Sequence, residues 1–389
     1  MAKSPKKPVK AEPHQIVLIL DDDEMVTEGL SLALARAGRT VITSNDLEGG
    51  ELVVEWLHPS HVVSDVRLTG QFAYEGLDFI RFVKRQSPDT RIILMTGDAP
   101  DALQLEASER GAVGFLRKPF EVAELDSVLD MMAPYREGSS EWPEVMTIPL
   151  LDQVLESDFL SVDFQPIVRL ESRDRLGYEA LARYRSESPL RNPEILFKYA
   201  ERKHRVADLE IACIRNSLRL SPALPGRLPL FLNTHPEVFA AGGRFVDGVV
   251  EAAEKGKIDY NRIVFEITEQ ASLASGRKAL DTIAKLKGLG VRFAFDDVGI
   301  AYSHLPFMDE IRPSFLKISQ HFGTGFEKDS TRTKIVRNVL ALANDFGCEL
   351  ILEGIEEEAT AAAAIDLGIK YGQGFFFARP AEASAFAGS

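Results

Sequence analysis

At 389 residues the chain is too long for a single small core and suits two domains, or one large barrel with a module attached. A net charge of -14 argues against direct nucleic-acid binding or adhesion to anionic membranes, which need a basic surface, and no apolar run reaches membrane-spanning length. Two cysteines, Cys213 and Cys348, without a CxxC pair read as buried thiols of a reducing compartment, so a cytoplasmic location is expected.

Residues 1–13 are rich in Lys and Pro, lack the apolar region of a signal peptide, and read as a disordered tail. From 14 to 133 the runs "IVLIL", "TVITS", "HVVSD", "RIILMTG" and "VGFLRKP" alternate with amphipathic stretches. That rhythm predicts a doubly wound, flavodoxin-like α/β domain with its functional groups beyond the carboxyl ends of the strands. Those ends carry Asp21 and Asp22, then Asp65, Thr96 and Lys118. Three carboxylates there suit one Mg²⁺, which prefers oxygen ligands. Asp65 is placed to be the nucleophile toward a phosphoryl donor, with the metal and Lys118 neutralising the incoming charge and Thr96 hydrogen-bonding it.

Residues 134–149, rich in Pro, Gly, Ser and charge, read as a linker. From 150 to 386 eight further runs follow, "VDFQPIV", "GYEALARY", "PLFLNT", "IVFEIT", "VRFAFDDV", "FLKIS", "CELILEGI" and "GQGFFFA", with helical stretches between them. They predict a (β/α)₈-type barrel. Their ends bring Glu179, Asn233, Glu266, the Asp296–Asp297 pair, Lys317, Glu353 and Gln373 to one rim. Hard oxygen ligands on separate strands suit Mg²⁺ or Mn²⁺, and adjacent aspartates are tolerated when cations lie between them. Two ions about 3.5–4 Å apart can activate water and clamp a phosphodiester. Lys317 can orient or deprotonate that water, Gln165 and Arg183 can position phosphate and base edges, and Glu353, Glu356 and Gln373 complete the rim.

Residues 14–133 resemble a response-regulator receiver domain. The resemblance implies metal binding at Asp21 and Asp22, phosphorylation of Asp65 by a cognate sensor histidine kinase, sensing by Thr96 and Lys118, and a switch aromatic at Phe115. The loop "VRLTGQFAYEG" after Asp65 is longer than usual and lacks a proline. The motifs "YEALAR", "FLNTHP", "FEITEQ", "FAFDDVG", "FLKIS", "LEGIEEE" and "GQGFFFARP" resemble, in order, the EAL family of cyclic di-GMP phosphodiesterases. That likeness implies hydrolysis of cyclic di-GMP to linear pGpG with two Mg²⁺ or Mn²⁺ ions, a barrel with one antiparallel strand, and Glu269 anchoring the loop after the aspartates. A homodimer or higher oligomer is also expected.

This chain has Val298, Ile300, Ala301 and His304 where the family loop carries Phe, Thr, Gly and Ser, and "KIS" where it carries KID. A rival reading is therefore kept: an EAL domain that binds cyclic di-GMP, or a protein, without turnover.

Overall fold

A computed structural model describes residues 13–68, 75–97, 101–131, 136–137, 143–156, 159–268, 277–299 and 305–387. It divides into two units, residues 1–157 with 186–203, and 158–185 with 204–389. No helix among the described residues is long and apolar enough to cross a membrane.

The first unit contains strands β1 (Pro13–Leu20), β2 (Arg39–Ser44), β3 (His61–Asp65), β4 (Arg91–Thr96) and β5 (Gly114–Arg117). Helices α1 (Glu24–Leu34), α2 (Leu47–Leu57), α3 (Glu75–Gln86), α4 (Asp101–Arg110) and α5 (Val122–Met131) alternate with them. The sheet order β5-β4-β3-β1-β2 is parallel. Central β1 is apolar on both faces, and Val17, Leu18, Ile19 and Leu20 are fully buried, as a strand covered on both sides requires. Asp23 and Asp46 cap α1 and α2 by accepting from Met25 N and Gly49 N.

The expected linker is corrected by the sheet. Within it, β6 (Arg136–Glu137) pairs antiparallel with β1, and β7 (Val145–Ile148) adds a parallel strand beside β2, Val41 opposite Val145. Met146 and Ile148 are buried there, so β2 is given a hydrogen-bonded partner instead of an open edge. Helix α6 (Leu151–Glu156) and helix α7 (Pro193–Arg202) complete this unit. Helix α7 comes from within the segment 150–386 expected to form the barrel domain, and it packs with the first compact unit.

In the second unit β8 (Leu160–Arg169), β9 (Arg175–Tyr184), β10 (Leu230–Thr234), β11 (Ile263–Thr268), β12 (Arg292–Val298), β13 (Phe315–Ile318), β14 (Glu349–Leu352) and β15 (Tyr371–Gly372) form a closed barrel. Strand β8 runs antiparallel to both neighbours, β9 and β15, and the other pairs are parallel. Helices α8 (Val206–Leu220), α9 (Gly243–Gly256), α10 (Arg277–Leu289), α11 (Leu305–Ile311), α12 (Gln320–Gly323), α13 (Ser330–Phe346) and α14 (Glu358–Asp366) belong to the same unit. The last strand is shorter than "GQGFFFA" suggested: β15 ends at Gly372, and 374–377 turn instead. A Cβ on Gly374 would lie 2.1 Å from Ile355 O, so the backbone passes too close there for any other residue.

Inside the barrel, Ile167, Phe231, Val264, Ala294, Phe315, Ile351 and Tyr371 form one packed apolar layer, with Leu176 against it. Each of the seven comes from a different strand, so this layer is the floor on which a site can stand.

Candidate active site

Strand periodicity builds the barrel site. Side chains two residues apart share a face, and two positions beyond the floor residues Phe231, Val264, Ala294, Phe315, Ile351 and Tyr371 stand Asn233, Glu266, Asp296, Lys317, Glu353 and Gln373. On antiparallel β8 the step runs backwards, from Ile167 to Gln165. On β9, Gly177 lies opposite Ile167, and Glu179, two residues on, lies opposite Gln165.

A register irregularity explains the adjacent aspartates. The β12–β13 register shifts between Phe295 and Val298, and Asp297 takes a φ of +55°. Such a bulge re-aims consecutive side chains that would otherwise face opposite ways. Asp297 N then donates to Asp296 Oδ1 at 2.9 Å.

Lys317 is the hub. Fully buried, it places Nζ 2.7 Å from Glu266 Oε1 and from Glu353 Oε1, and 3.5 Å from Glu179 Oε2 and Asp296 Oδ1. Burial works against its charge, but the surrounding carboxylates outweigh that and hold its pKa well above the ordinary lysine value. Without cations the lysine is therefore driven toward its charged form, not the neutral one. Burial raises the pKa of Glu266, Asp296 and Glu353, the last to about 8. Glu179 goes the other way: Lys317, Asn233 and Gln373 together overcome its burial and lower its pKa. Asn233 Nδ2 donates to Glu179 Oε1 at 2.8 Å, and Gln373 Nε2 donates to Glu179 Oε2 at 2.6 Å and Gln165 Oε1 at 3.0 Å.

One ammonium for four carboxylates leaves surplus negative charge in a buried space. Neither oxygen of Glu266 has a directed hydrogen bond, the 2.7 Å contact to Lys317 being an ion pair without hydrogen-bond alignment. Asp296, Asp297 and Glu353 each bring one oxygen within 4.8 Å of the others. Such a donor set fits hard divalent cations.

Above the hub lies a cavity of about 280 Å³ lined by Gln165, Glu179, Asp296, Glu353, Glu356 and Gln373, among others. Leu181, Gln320 and Phe375 also line it and escaped sequence reasoning. Phe375 is 48% exposed, and the only sequence signal was its place in an aromatic run. Arg183 does not line this cavity, and its Nε pairs with Asp163 Oδ2 at 3.2 Å. On β9 it is four residues past Glu179, one strand repeat too far along to share the cavity wall. Ser319 is buried and caps α12 by accepting from His321 N. Glu269, Ile300, Ala301 and His304 lie outside the described residues.

In the first unit, the carboxyl ends of β1 and β3 bring Asp21, Asp22 and Asp65 together, with one oxygen of each within 4.8 Å of the others. Lys118 Nζ bridges Asp21 Oδ2 at 2.6 Å and Asp65 Oδ2 at 2.7 Å. Burial raises the Asp21 pKa, and although burial disfavours the Lys118 ammonium, its two partners overcome this and raise its pKa too. Thr96 ends β4 and is buried; Phe115 on β5 is half-buried opposite Leu94.

The EAL domain family matches residues 150–380, and the response regulator receiver domain matches 17–130. The chain belongs to the EAL domain family. Its EAL domain is preceded by a receiver domain. Among its relatives is RocR of Pseudomonas aeruginosa, a cyclic di-GMP phosphodiesterase. The two are 24% identical over 378 residues, 94% of this chain and 95% of RocR. TpdA of Vibrio parahaemolyticus, also a cyclic di-GMP phosphodiesterase, is 28% identical over 216 residues, 56% of this chain but only 36% of that longer protein. Among solved structures, the EAL domain resembles the PaMucR phosphodiesterase in complex with cyclic di-GMP, at 25% identity and a TM-score of 0.55, over 60% of this chain and 97% of that one. A standalone EAL protein of Vibrio cholerae bound to cyclic di-GMP matches at 26% identity and a TM-score of 0.51, over 59% and 95%.

Proposed function

We propose that this protein hydrolyses cyclic di-GMP to linear pGpG, under control of phosphorylation at Asp65. The observation that supports it best is the hub: one buried lysine amid four carboxylates, standing one strand repeat above the barrel floor and below an open polar cavity. The relatives' shared activity points the same way.

Glu179, Asn233, Glu266, Asp296 and Asp297 would hold Mg²⁺ or Mn²⁺, which supplies Lewis-acid polarisation of the phosphodiester and a more acidic water. Gln165, Glu356 and Gln373 line the cavity and offer hydrogen bonds to the guanine edges and phosphate. Lys317 orients the attacking water from below, and Glu353, facing both Lys317 and the cavity, receives its proton. One P–O bond forms to water, the P–O3′ bond breaks, and a proton goes to the departing 3′ oxygen. Ring opening leaves a 5′-phosphate on the linear dinucleotide.

In the receiver, an Asp65 oxygen would attack the phosphorus of a phosphohistidine donor, breaking the P–N bond, with Asp21 and Asp22 holding Mg²⁺ and Lys118 balancing charge. The proposed donor is a sensor histidine kinase, and the assembly a dimer or higher oligomer. Binding without turnover is favoured by one observation, that Ser319 serves as a helix cap and offers no carboxylate. Chromatography of purified protein with cyclic di-GMP and Mg²⁺ or Mn²⁺ separates the readings: pGpG should accumulate and stop with EDTA. Tight binding without product would overturn hydrolysis.

A further inference from the structure

We infer that α7 is the element through which the receiver pocket governs the barrel, with Tyr199 as its contact. The inference rests on the proposed phosphorylation control and adds a route to it.

The sequence connects α7 to both ends of the problem. Residues 186–203 leave the barrel after β9, the strand carrying Glu179, and return at α8, yet they belong to the compact first unit. There α7 is held on α2 by built contacts. Tyr199, fully buried, donates from its hydroxyl to Asp46 Oδ2 at 2.5 Å. Lys203 reaches Asp46 at 3.0 Å and Glu48 at 2.9 Å, and Arg202 pairs with Glu51 and Glu55. Its guanidinium also lies 5.5 Å from the centre of the Phe82 ring.

Asp46 is in turn tied to the acid pocket. Its neighbour Asn45 donates from Nδ2 to the backbone carbonyl of Asp21 at 2.9 Å and to Thr27 Oγ1 at 3.1 Å. Asp21 N donates to Ser44 O at 3.3 Å. Main-chain and side-chain bonds thus run from Asp21 through residues 44–46 to Tyr199. Lys118 shares its ammonium between Asp21 and Asp65, so a phosphoryl group on Asp65, adding about −1.5 to −2 charge, would draw it away from Asp21. Asp21 and the 44–46 turn must then readjust, and buried Tyr199 has no second position without giving up its bond to Asp46. A displaced α7 pulls on both chain segments that join it to the barrel.

The test uses the full-length chain with Mg²⁺, with and without beryllium fluoride as phosphoryl mimic. Amide exchange over 193–202 and cyclic di-GMP hydrolysis are both read. Beryllium fluoride should change exchange across α7 in the wild type and change kcat/KM about fivefold or more, whereas Tyr199→Phe should keep its basal rate and respond less than about twofold. Lys203→Gln, a milder surface change, should blunt the response in the same direction. Indifference of α7 exchange to beryllium fluoride overturns the inference, as does a full wild-type response in both variants. Should no cyclic di-GMP be hydrolysed, the proposed activity fails, and the α7 route stands only if beryllium fluoride also changes amide exchange over barrel residues 349–352 in the wild type and not in Tyr199→Phe.

Discussion

Lys317 has four carboxylates around its ammonium, so replacing it reads the site directly. Lys317→Met keeps the length but leaves those carboxylates uncompensated, which should cost about 3–5 kcal/mol of unfolding free energy in EDTA. Turnover should fall at least ~100-fold. Urea unfolding and product chromatography check the two effects, and a stability loss below about 1 kcal/mol would mean that the hub is not the sole counter-charge. Arg183 and Gln373 make a second, contrasting pair. Gln373 lines the cavity and holds Glu179, so Gln373→Ala should lower kcat/KM by ~10–100-fold, through a lost charge-assisted hydrogen bond and a misplaced carboxylate. Arg183→Ala loses only a partly exposed pair with Asp163 and should change kcat/KM less than about twofold. Equal losses in the two variants would restore Arg183 to the substrate site.

Short elements carry the site's precision. Helix α12 packs so closely under β14 that a Cβ on Gly323 would lie 2.0 Å from the carbonyl oxygen of Glu353. Gly323→Ala must therefore push Glu353 away from Lys317 or shift α12. We expect a destabilisation of about 1–3 kcal/mol and a fall in kcat larger than any rise in KM, because the backbone of a hub carboxylate moves while Gln165 and Gln373, on other strands, stay. Steady-state kinetics beside a thermal melt will show it; an unchanged kcat would mean that Glu353 adapts without consequence. The β12 bulge acts at the same scale and lets Asp296 and Asp297 serve one site.

Across the whole molecule the two units should respond to pH in opposite senses. Fully buried His61, in the first unit, has its pKa lowered to about 4 by burial and by Arg91 and Arg39. The unfolded chain binds that proton more readily, so this contribution is complete above about pH 6.5 and is lost as pH falls through about 4, on the order of 3 kcal/mol in all. Glu210 lies buried in the second unit and accepts from His235 N at 2.7 Å. Burial raises its pKa to about 8 despite that bond. Here the folded state keeps the proton, so the contribution is complete below about pH 4.5 and is lost as pH rises through about 8. Amide exchange of the two units between these limits should show the first loosening in acid and the second in base. His61→Gln should flatten the acid limb and Glu210→Gln the alkaline one; a variant that leaves its limb unchanged removes that group as the cause.

Local sequence order determined a good deal of this. Apolar runs at regular intervals specified the strands of both sheets, because a strand buried on two faces must be apolar throughout, and polar residues ending those runs marked the strand ends where Asp65 and Lys317 stand, whereas Glu179 proved to lie in the middle of β9. Even the two-residue step from floor to site was present, since strand periodicity is a property of the chain alone. Other features were decided only by folding. Nothing local distinguishes Val145–Ile148 from a linker until the open edge of β2 is there to pair with it. The pairing of Arg183 with Asp163 depends on the register of β8 against β9, and the size of the last turn depends on how near Ile355 comes to Gly374. Likewise α7 reads as an ordinary barrel helix, and Tyr199 as an ordinary buried tyrosine, until Asp46, distant in sequence, supplies its partner. Pairing partners and charge states depend on what arrives through space, and that information is held by the assembled molecule rather than by any stretch of it.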